Sequence, residues 1–516
     1  MNKKRGLLNV GVSITFKIIL LVSNILVRRF LIKCISNDIN GLNSLYLSIL
    51  DFLAVAELGI GSAITYCMYK PIVDGDTETV FALYRLFKKI YLIIGLIITI
   101  GGCALMPALP YLAKGYESTN VNLYLTFGIM LASVVATYFF SAQTSLMNAY
   151  EDNYLSTAIT SLGRILQYAL QLIVLFTTAS FVLYLICRLI SAAAQFAMSE
   201  IIVKKRYPSV FSSAIVNIGN DTKNEIIKNV KAMFLHRVGS VLVNTIDSVI
   251  ISAFIGVAIL GKYSNYVAIM TAMTGTISLF FTPLTSMIGH LFVKDKAAFK
   301  KYFGFFFTLN FCLGCVFFLG YYAIIDNLVS LLFGKGLELE KTISFVITVN
   351  YFIQFMRNAT LLFRDASGTF YYDRFKPLAE GLSNLALSIL FVILFKHFYN
   401  DNLAVVGVII ATIITNLFIC HIVEPHVLHK YAFGCSAKKY YARIYSYIFV
   451  FVAALIALNF CTVHLENKWL ELLANGCIAI AFSILPVVGA ILSDRDFKDF
   501  AKDFLKKEKI DKQTQK

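Results

Sequence analysis

Runs of about twenty predominantly apolar residues recur from one end of this chain to the other. As a helix, each run is long enough to cross roughly 30 Å of hydrocarbon. Backbone N–H and C=O groups find no water there, so a spanning segment must satisfy them within itself, which a helix does. The expected fold is therefore all-α, a polytopic membrane protein with about fourteen transmembrane helices. The spans read as residues 8–32, 42–68, 88–110, 121–148, 155–176, 179–202, 232–256, 263–291, 302–325, 343–363, 377–396, 403–424, 443–461 and 470–492. Only 15% of the 516 residues are charged, against about a quarter in a soluble domain. No stretch is polar and long enough to form a separate soluble domain. The first apolar run follows Lys3, Lys4 and Arg5 and continues to Arg28 without a small-residue cleavage site, so it reads as the first span rather than a signal peptide.

The net charge of +16 is the mark of cytoplasmic loops obeying the positive-inside rule, and no nucleic-acid partner is expected. With the N-terminus inside, most of the 46 Lys and Arg fall in the inner segments, and an even span count returns the C-terminus to the cytoplasm. Residues 203–231 are long, polar and basic and divide the first six spans from the next six. In the tail, 493–516, Phe497, Phe500, Phe504 and Leu505 share one helical face, which suits either an amphipathic helix on the inner membrane surface or a solvated tail. Cys312 and Cys315 form a C-x-x-C inside an apolar run, where packing is the default reading. His421, Glu424, His426 and His429 cluster around Pro425, but no metal or other cofactor is expected.

Set against itself at an offset of 220, the chain repeats. Lys17 falls on Arg237, Asn24 on Asn244, Gly41 on Gly261, Ser44 on Ser264 and Tyr46 on Tyr266; at 221, Asp152 falls on Asp373 and Tyr154 on Phe375. The expected organisation is an N-terminal six-helix lobe (1–202), a cytoplasmic linker (203–231), a C-terminal six-helix lobe (232–424), two additional helices (425–492) and the tail. Six is even, so both copies enter the membrane in the same direction, as in transporters built from parallel repeats about a cleft.

An ionisable group at a helix centre in the membrane costs about 2.5–3.5 kcal/mol on insertion scales and normally faces a cavity or a partner. In span 1, Asn9, Ser13, Lys17, Asn24 and Arg28 lie on one stripe; span 7 repeats it with Arg237, Ser240, Asn244, Asp247 and Ser248. Span 5 carries Ser161, Arg164, Tyr168 and Gln171, span 6 carries Tyr184, Arg188, Ser191 and Gln195, and span 10 adds Arg357. The deep charges Lys17, Arg164, Arg188, Arg237 and Arg357 are all positive. With Asn24, Arg28 and Asn244 they form the expected substrate-binding set. A cationic, amide- and hydroxyl-rich interior suits an anionic polar substrate, and the planar fork of Arg suits phosphate. The loop joining spans 10 and 11 gathers Arg364, Asp365, Asp373, Arg374 and Glu380, a candidate cytoplasmic gate or a structural turn. No Walker A, G-x-S-x-G or H-E-x-x-H motif occurs, so the chain does not read as an enzyme.

Four stretches carry a family resemblance: GLNSLYLSILDFLAVAELGIGSAITYCMYKPIVDGD (41–76), DRFKPLAEGLSNLALSILFV (373–392), VVGVIIATIITNLF (405–418) and EPHVLHKYAF (424–433). The chain resembles the bacterial polysaccharide-repeat-unit flippases of the multidrug/oligosaccharidyl-lipid/polysaccharide exporter superfamily. The resemblance implies two six-helix lobes around a central cavity in the bacterial cytoplasmic membrane. It implies transfer of undecaprenyl-pyrophosphate-linked oligosaccharide from the inner to the outer leaflet, for O-antigen, capsule or exopolysaccharide assembly. Lys17, Arg164, Arg188 and Arg237 then become candidates to hold the pyrophosphate, and Asp247 to couple a proton or sodium gradient. Membrane lipids, a polysaccharide polymerase and glycosyltransferases are the implied partners. A peptidoglycan-precursor flippase, a drug/cation antiporter of the same superfamily and a non-transporting glycan-assembly scaffold are the competing readings. The positive sign of the deep charges argues against the antiporter.

Overall fold

The computed structural model describes residues 3–57, 60–214, 216, 239, 241–243, 245–281, 284–494 and 497–498. It is all-helical, as the apolar runs require. The helices are α1 (Lys3–Cys34), α2 (Asn37–Leu53), α3 (Ile60–Asp74), α4 (Thr77–Leu105), α5 (Leu123–Ala149), α6 (Asn153–Thr177), α7 (Phe181–Arg206), α8 (Val257–Phe281) and α9 (Leu284–Lys294). They continue as α10 (Lys296–Phe333), α11 (Lys341–Met356), α12 (Asn358–Ala366), α13 (Lys376–Phe398), α14 (Ala404–Phe433), α15 (Lys438–Cys461) and α16 (Lys468–Ser493). Among the described residues, nine helices are long and apolar enough to cross a membrane. The expected spans 42–68 and 343–363 are each divided into two shorter helices, at Ala54–Glu57 and at Arg357, and residues 282–283 of the expected span 263–291 lie outside the described residues. An apolar run continues through such a break, so its length alone does not reveal the break.

Starts of helices are set by short polar side chains that satisfy the first free backbone N–H groups. Asn122 Oδ1 accepts from Leu125 N (3.0 Å), and Asp295 Oδ1 from Ala297 N and Ala298 N (both 2.9 Å). The faces then sort by packing. On α4, Ile94 and Ile98 are buried at 3% and 1%, while Leu96 and Ile100 are 59% and 61% exposed. An exposed apolar face beside a buried one on the same spanning helix is a lipid-facing surface.

The chain forms two compact units, Met1–Ser264 and Asn265–Lys516. In the first, α4 packs on α5, α5 on α7, α6 on α7, and α1 on α6. The second shows the corresponding pairings of α10 with α11, α11 with α14, and α13 with α14, and adds α15 and α16 against α10. Repeat-related residues also play matching parts. Tyr46 Oη donates to Leu123 O (3.0 Å) at the start of α5; Tyr266 Oη donates to Asp326 Oδ1 (2.7 Å) and accepts from Leu339 N (3.0 Å), just ahead of α11. Asp152 takes Tyr207 Oη (2.8 Å) and Arg206 Nε (3.3 Å), while its mate Asp373 takes Arg364 Nη1 (2.8 Å).

Within the first unit, the N-terminal turns of α2 and α8 cross at the paired glycines. A Cβ on Gly41 would stand 1.9 Å from Val257 O, and one on Gly261 would stand 2.3 Å from Asn37 O. Asn37 and Asn40 complete the contact, donating to Ala258 O (2.8 Å) and Gly261 O (3.1 Å). Small residues allow this backbone-to-backbone approach, and the amide bonds fix its register.

Candidate functional site

The register of α6 against α7 is set by Gly163, Ser191 and Gln195. Ser191 Oγ donates to Gly163 O (2.7 Å), and a Cβ on Gly163 would stand 2.2 Å from the Gln195 side chain. One helical turn further along α6 than Tyr168, Gln171 Nε2 donates to Tyr184 O (3.2 Å). Gln171, Ser191 and Gln195 are buried, so these members of the polar stripes hold the two helices together. The remaining members face elsewhere. Arg164 and Tyr168 of α6 come within electrostatic range of Tyr184 and Arg188 of α7. Arg28 of α1 reaches the same two tyrosines and donates from Nη1 to Ser264 Oγ (2.9 Å).

Arg28 and Arg188 are therefore within electrostatic range of both Tyr168 and Tyr184, and Arg164 is within range of Tyr168 and Arg188. Among the described residues, Arg164 and Arg188 make no hydrogen bond or ion pair with another side chain or with the backbone. The acid nearest in electrostatic terms is Asp51, at the exposed end of α2, which is felt by Arg188. Asp51 escapes a reading of deep charges because it sits among strongly apolar residues near a helix break. Each guanidinium carries five N–H donors and can take an oxyanion bidentately.

Lys17 and Asn24 lie exposed on α1, seven residues apart. Asp247 is half-buried on the helical segment that precedes α8. Arg237 and Asn244 lie outside the described residues. Arg357, expected among the substrate-binding cations, is instead in the second unit, within a network of its own.

Arg357 stands at the break between α11 and α12. Its Nη2 meets Glu424 Oε1 (2.6 Å), its Nε meets Glu424 Oε2 (3.2 Å), and its Nη1 meets Glu380 Oε1 (3.3 Å) and Asn416 Oδ1 (2.8 Å). Lys376 Nζ closes the ring on Glu380 Oε2 (2.7 Å) and Glu424 Oε1 (2.5 Å). A π-helical segment, Asn416–Cys420, rephases α14 so that Asn416 and Glu424 share the face turned to Arg357. Arg364 adds Asp373 (2.8 Å) and Asp365 (2.9 Å). The expected gate residues thus divide. Arg364, Asp365 and Asp373 form one group, Glu380 joins the Arg357 ring, and Arg374 stacks on Tyr371 and Phe375 at 4.3 and 5.0 Å. Glu424, weighed in sequence only as a metal ligand, is the hub. His421 and His429 are each engaged by a backbone carbonyl, Ile353 O (2.9 Å) and Pro425 O (2.8 Å).

The described chain is thus an all-α membrane fold of two compact helical units, the first of which carries Arg28 and Arg188, both half-buried, and Arg164, which is exposed. No protein-family profile matches the chain, and no curated protein matches it in sequence. Solved structures do match. The lipid II flippase MurJ, in an inward closed conformation, aligns with a TM-score of 0.66 and 12% identity, over 94% of this chain and 99% of that one. An inward-facing multidrug resistance transporter of the MATE family, from the MOP superfamily, gives 0.60 and 14% over 79% and 96%. The Vibrio cholerae MATE transporter VcmN gives 0.54 and 15% over 83% and 97%. At these identities the likeness establishes the fold, and the chain has the fold of MOP-superfamily transporters.

Proposed function

We propose that this protein flips undecaprenyl-pyrophosphate-linked oligosaccharide repeat units from the inner to the outer leaflet of the bacterial cytoplasmic membrane by alternating access. One observation carries the reading: Arg164 and Arg188 lie within electrostatic range of each other and of Tyr168, and among the described residues no carboxylate hydrogen-bonds either of them. A cation pair with no hydrogen-bonded acid among the described residues is costly within a membrane span unless an anion occupies it for part of the cycle. The pyrophosphate docks there, hydroxyl and amide groups take the sugars, and the polyprenyl chain stays in lipid. Both termini lie in the cytoplasm, Asp247 couples a proton or sodium gradient, and a polysaccharide polymerase receives the product from glycosyltransferases upstream. The residues of the 364–380 loop hold the inner gate closed.

Deleting the gene is expected to leave lipid-linked repeat units stranded on the cytoplasmic side. Arg164→Gln and Arg188→Gln are each expected to cut polymer display by about ten- to a hundredfold at unchanged membrane levels, the loss of one or two charged hydrogen bonds. Full display in both single variants and in the double variant contradicts the reading. The similarity to the flippase MurJ over 94% of this chain favours a second reading, a peptidoglycan-precursor flippase. Rescue of cells depleted of their own lipid II flippase selects that reading; failure to rescue, with loss of surface polysaccharide on deletion, selects the first.

A further inference from the structure

Unit 2 holds a cavity of about 900 Å³ away from the ion network, at the membrane face where α10 and α15 begin and α14 and α16 end. Its rim carries Lys300, Lys438 and Lys439. All three are exposed, and among the described residues none of their ammonium groups makes an ion pair or hydrogen bond. Arg443 forms one wall. Its guanidinium stands 5.2 Å from the Phe307 ring and 5.5 Å from the Tyr447 ring, and it is paired with Asp494. Asp494 is the one acid among the described lining residues and also takes the Thr308 hydroxyl. It is therefore already neutralised, and among the described residues the three lysine charges are uncompensated.

The floor is aromatic. Phe303 packs against Phe433 and Tyr440 with ring centroids 5.2 and 6.2 Å apart. The first turn of α15 adds the backbone N–H groups of Lys439 and Tyr440, since Ala437 provides no side-chain cap and Ser436 Oγ takes only Lys438 N (3.3 Å). Basic pockets between transmembrane helices at this level bind anionic lipid headgroups, and aromatic rings favour the same interfacial zone.

We infer that this cavity binds the phosphate headgroup of an anionic phospholipid, with Lys300, Lys438 and Lys439 on the phosphate and the glycerol and upper acyl chain against Phe303, Phe433 and Tyr440. A free phosphate shares the charge chemistry but leaves the apolar floor unused. The inference stands apart from the transported substrate, because none of these residues belongs to the arginine cluster of the first unit.

The full-length protein, purified in mild detergent, is offered phosphatidylglycerol or phosphatidylcholine and examined by native mass spectrometry, with inorganic phosphate as a third arm read by thermal shift. Wild type is expected to retain phosphatidylglycerol at least about tenfold better than phosphatidylcholine. The K300Q/K438Q/K439Q variant is expected to lose that preference, and the K300R/K438R/K439R variant to keep it, which separates lost charge from lost folding. Stabilisation by phosphate alone, abolished in the Gln variant and without phosphatidylglycerol retention, overturns the lipid and assigns a soluble anion. Equal retention of both lipids by wild type, or an unchanged preference in the Gln variant, overturns the site.

Discussion

Arg357 shows how far a single residue can be read from sequence. A cation in an apolar run signals that something must compensate it, but not what. The compensating groups come from Glu380 and Glu424, 23 and 67 residues away, and Glu424 reaches it through a π-helical segment that no periodicity announces. The cation was legible and its partners were not. Glu424 is 1% exposed and carries both Arg357 and Lys376, so its neutralisation leaves two buried cations short of a partner. Glu424→Gln is expected to destabilise the protein by about 3–5 kcal/mol, read as a lowered midpoint of thermal unfolding in detergent. An unchanged midpoint would show that the ring holds nothing together. For Arg164 and Arg188 the converse holds. Their spacing on adjacent helices was visible in sequence, but their convergence depends on the close contact of Gly163 with Gln195, which fixes the register of α6 on α7. Asp51 was missed because its proximity to Arg188 is tertiary.

At the level of the element, the apolar runs located nearly every helix, while breaks within them went unseen. The expected span 343–363 breaks at Arg357, where the side chain is committed to the ring and the helical path changes. Of the expected linker 203–231, residues 203–206 continue α7 and Pro208–Phe211 form a short helical turn, while 215 and 217–231 and most of the tail lie outside the described residues. Where α2 meets α8, a one-atom change is informative. Gly41→Ala places a methyl group 1.9 Å from a backbone oxygen, which no side-chain rotation relieves. It is expected to lower membrane levels or transport several-fold, measured by immunoblot and polymer display. Gly320→Ala in α10 meets nothing within 4 Å and is expected to be neutral or stabilising by up to about 1 kcal/mol, the helix-propensity difference. Equal behaviour of the two variants would contradict the close packing at Gly41. The pairing of Gly41 with Gly261 was readable at a fixed offset, yet the offset gave no hint that the two glycines touch.

For the whole molecule, the repeat and the sign of the charges carry the account. Matching helix pairings in the two units, matching tyrosine anchors and matching buried aspartates support the proposal that one six-span unit was duplicated. The excess of Lys and Arg in the inner segments is the basis for proposing that both ends of the chain lie in the cytoplasm; C-terminal fusions are expected to fluoresce as green fluorescent protein and to be inactive as alkaline phosphatase, and the opposite pattern would invert the topology. The fold itself is shared by transporters of unlike substrates, so function must be argued from the site. That argument rests on the proposal that Arg164 and Arg188 take an oxyanion. Its most direct test is reconstitution of the purified protein in vesicles with a fluorescent polyprenyl-pyrophosphate oligosaccharide, whose outer-leaflet fraction is read with a membrane-impermeant quencher. The account predicts rapid equilibration across the bilayer for wild type and background rates for the R164Q/R188Q variant. Wild-type rates in that variant, or no transfer above protein-free vesicles by wild type, would contradict it.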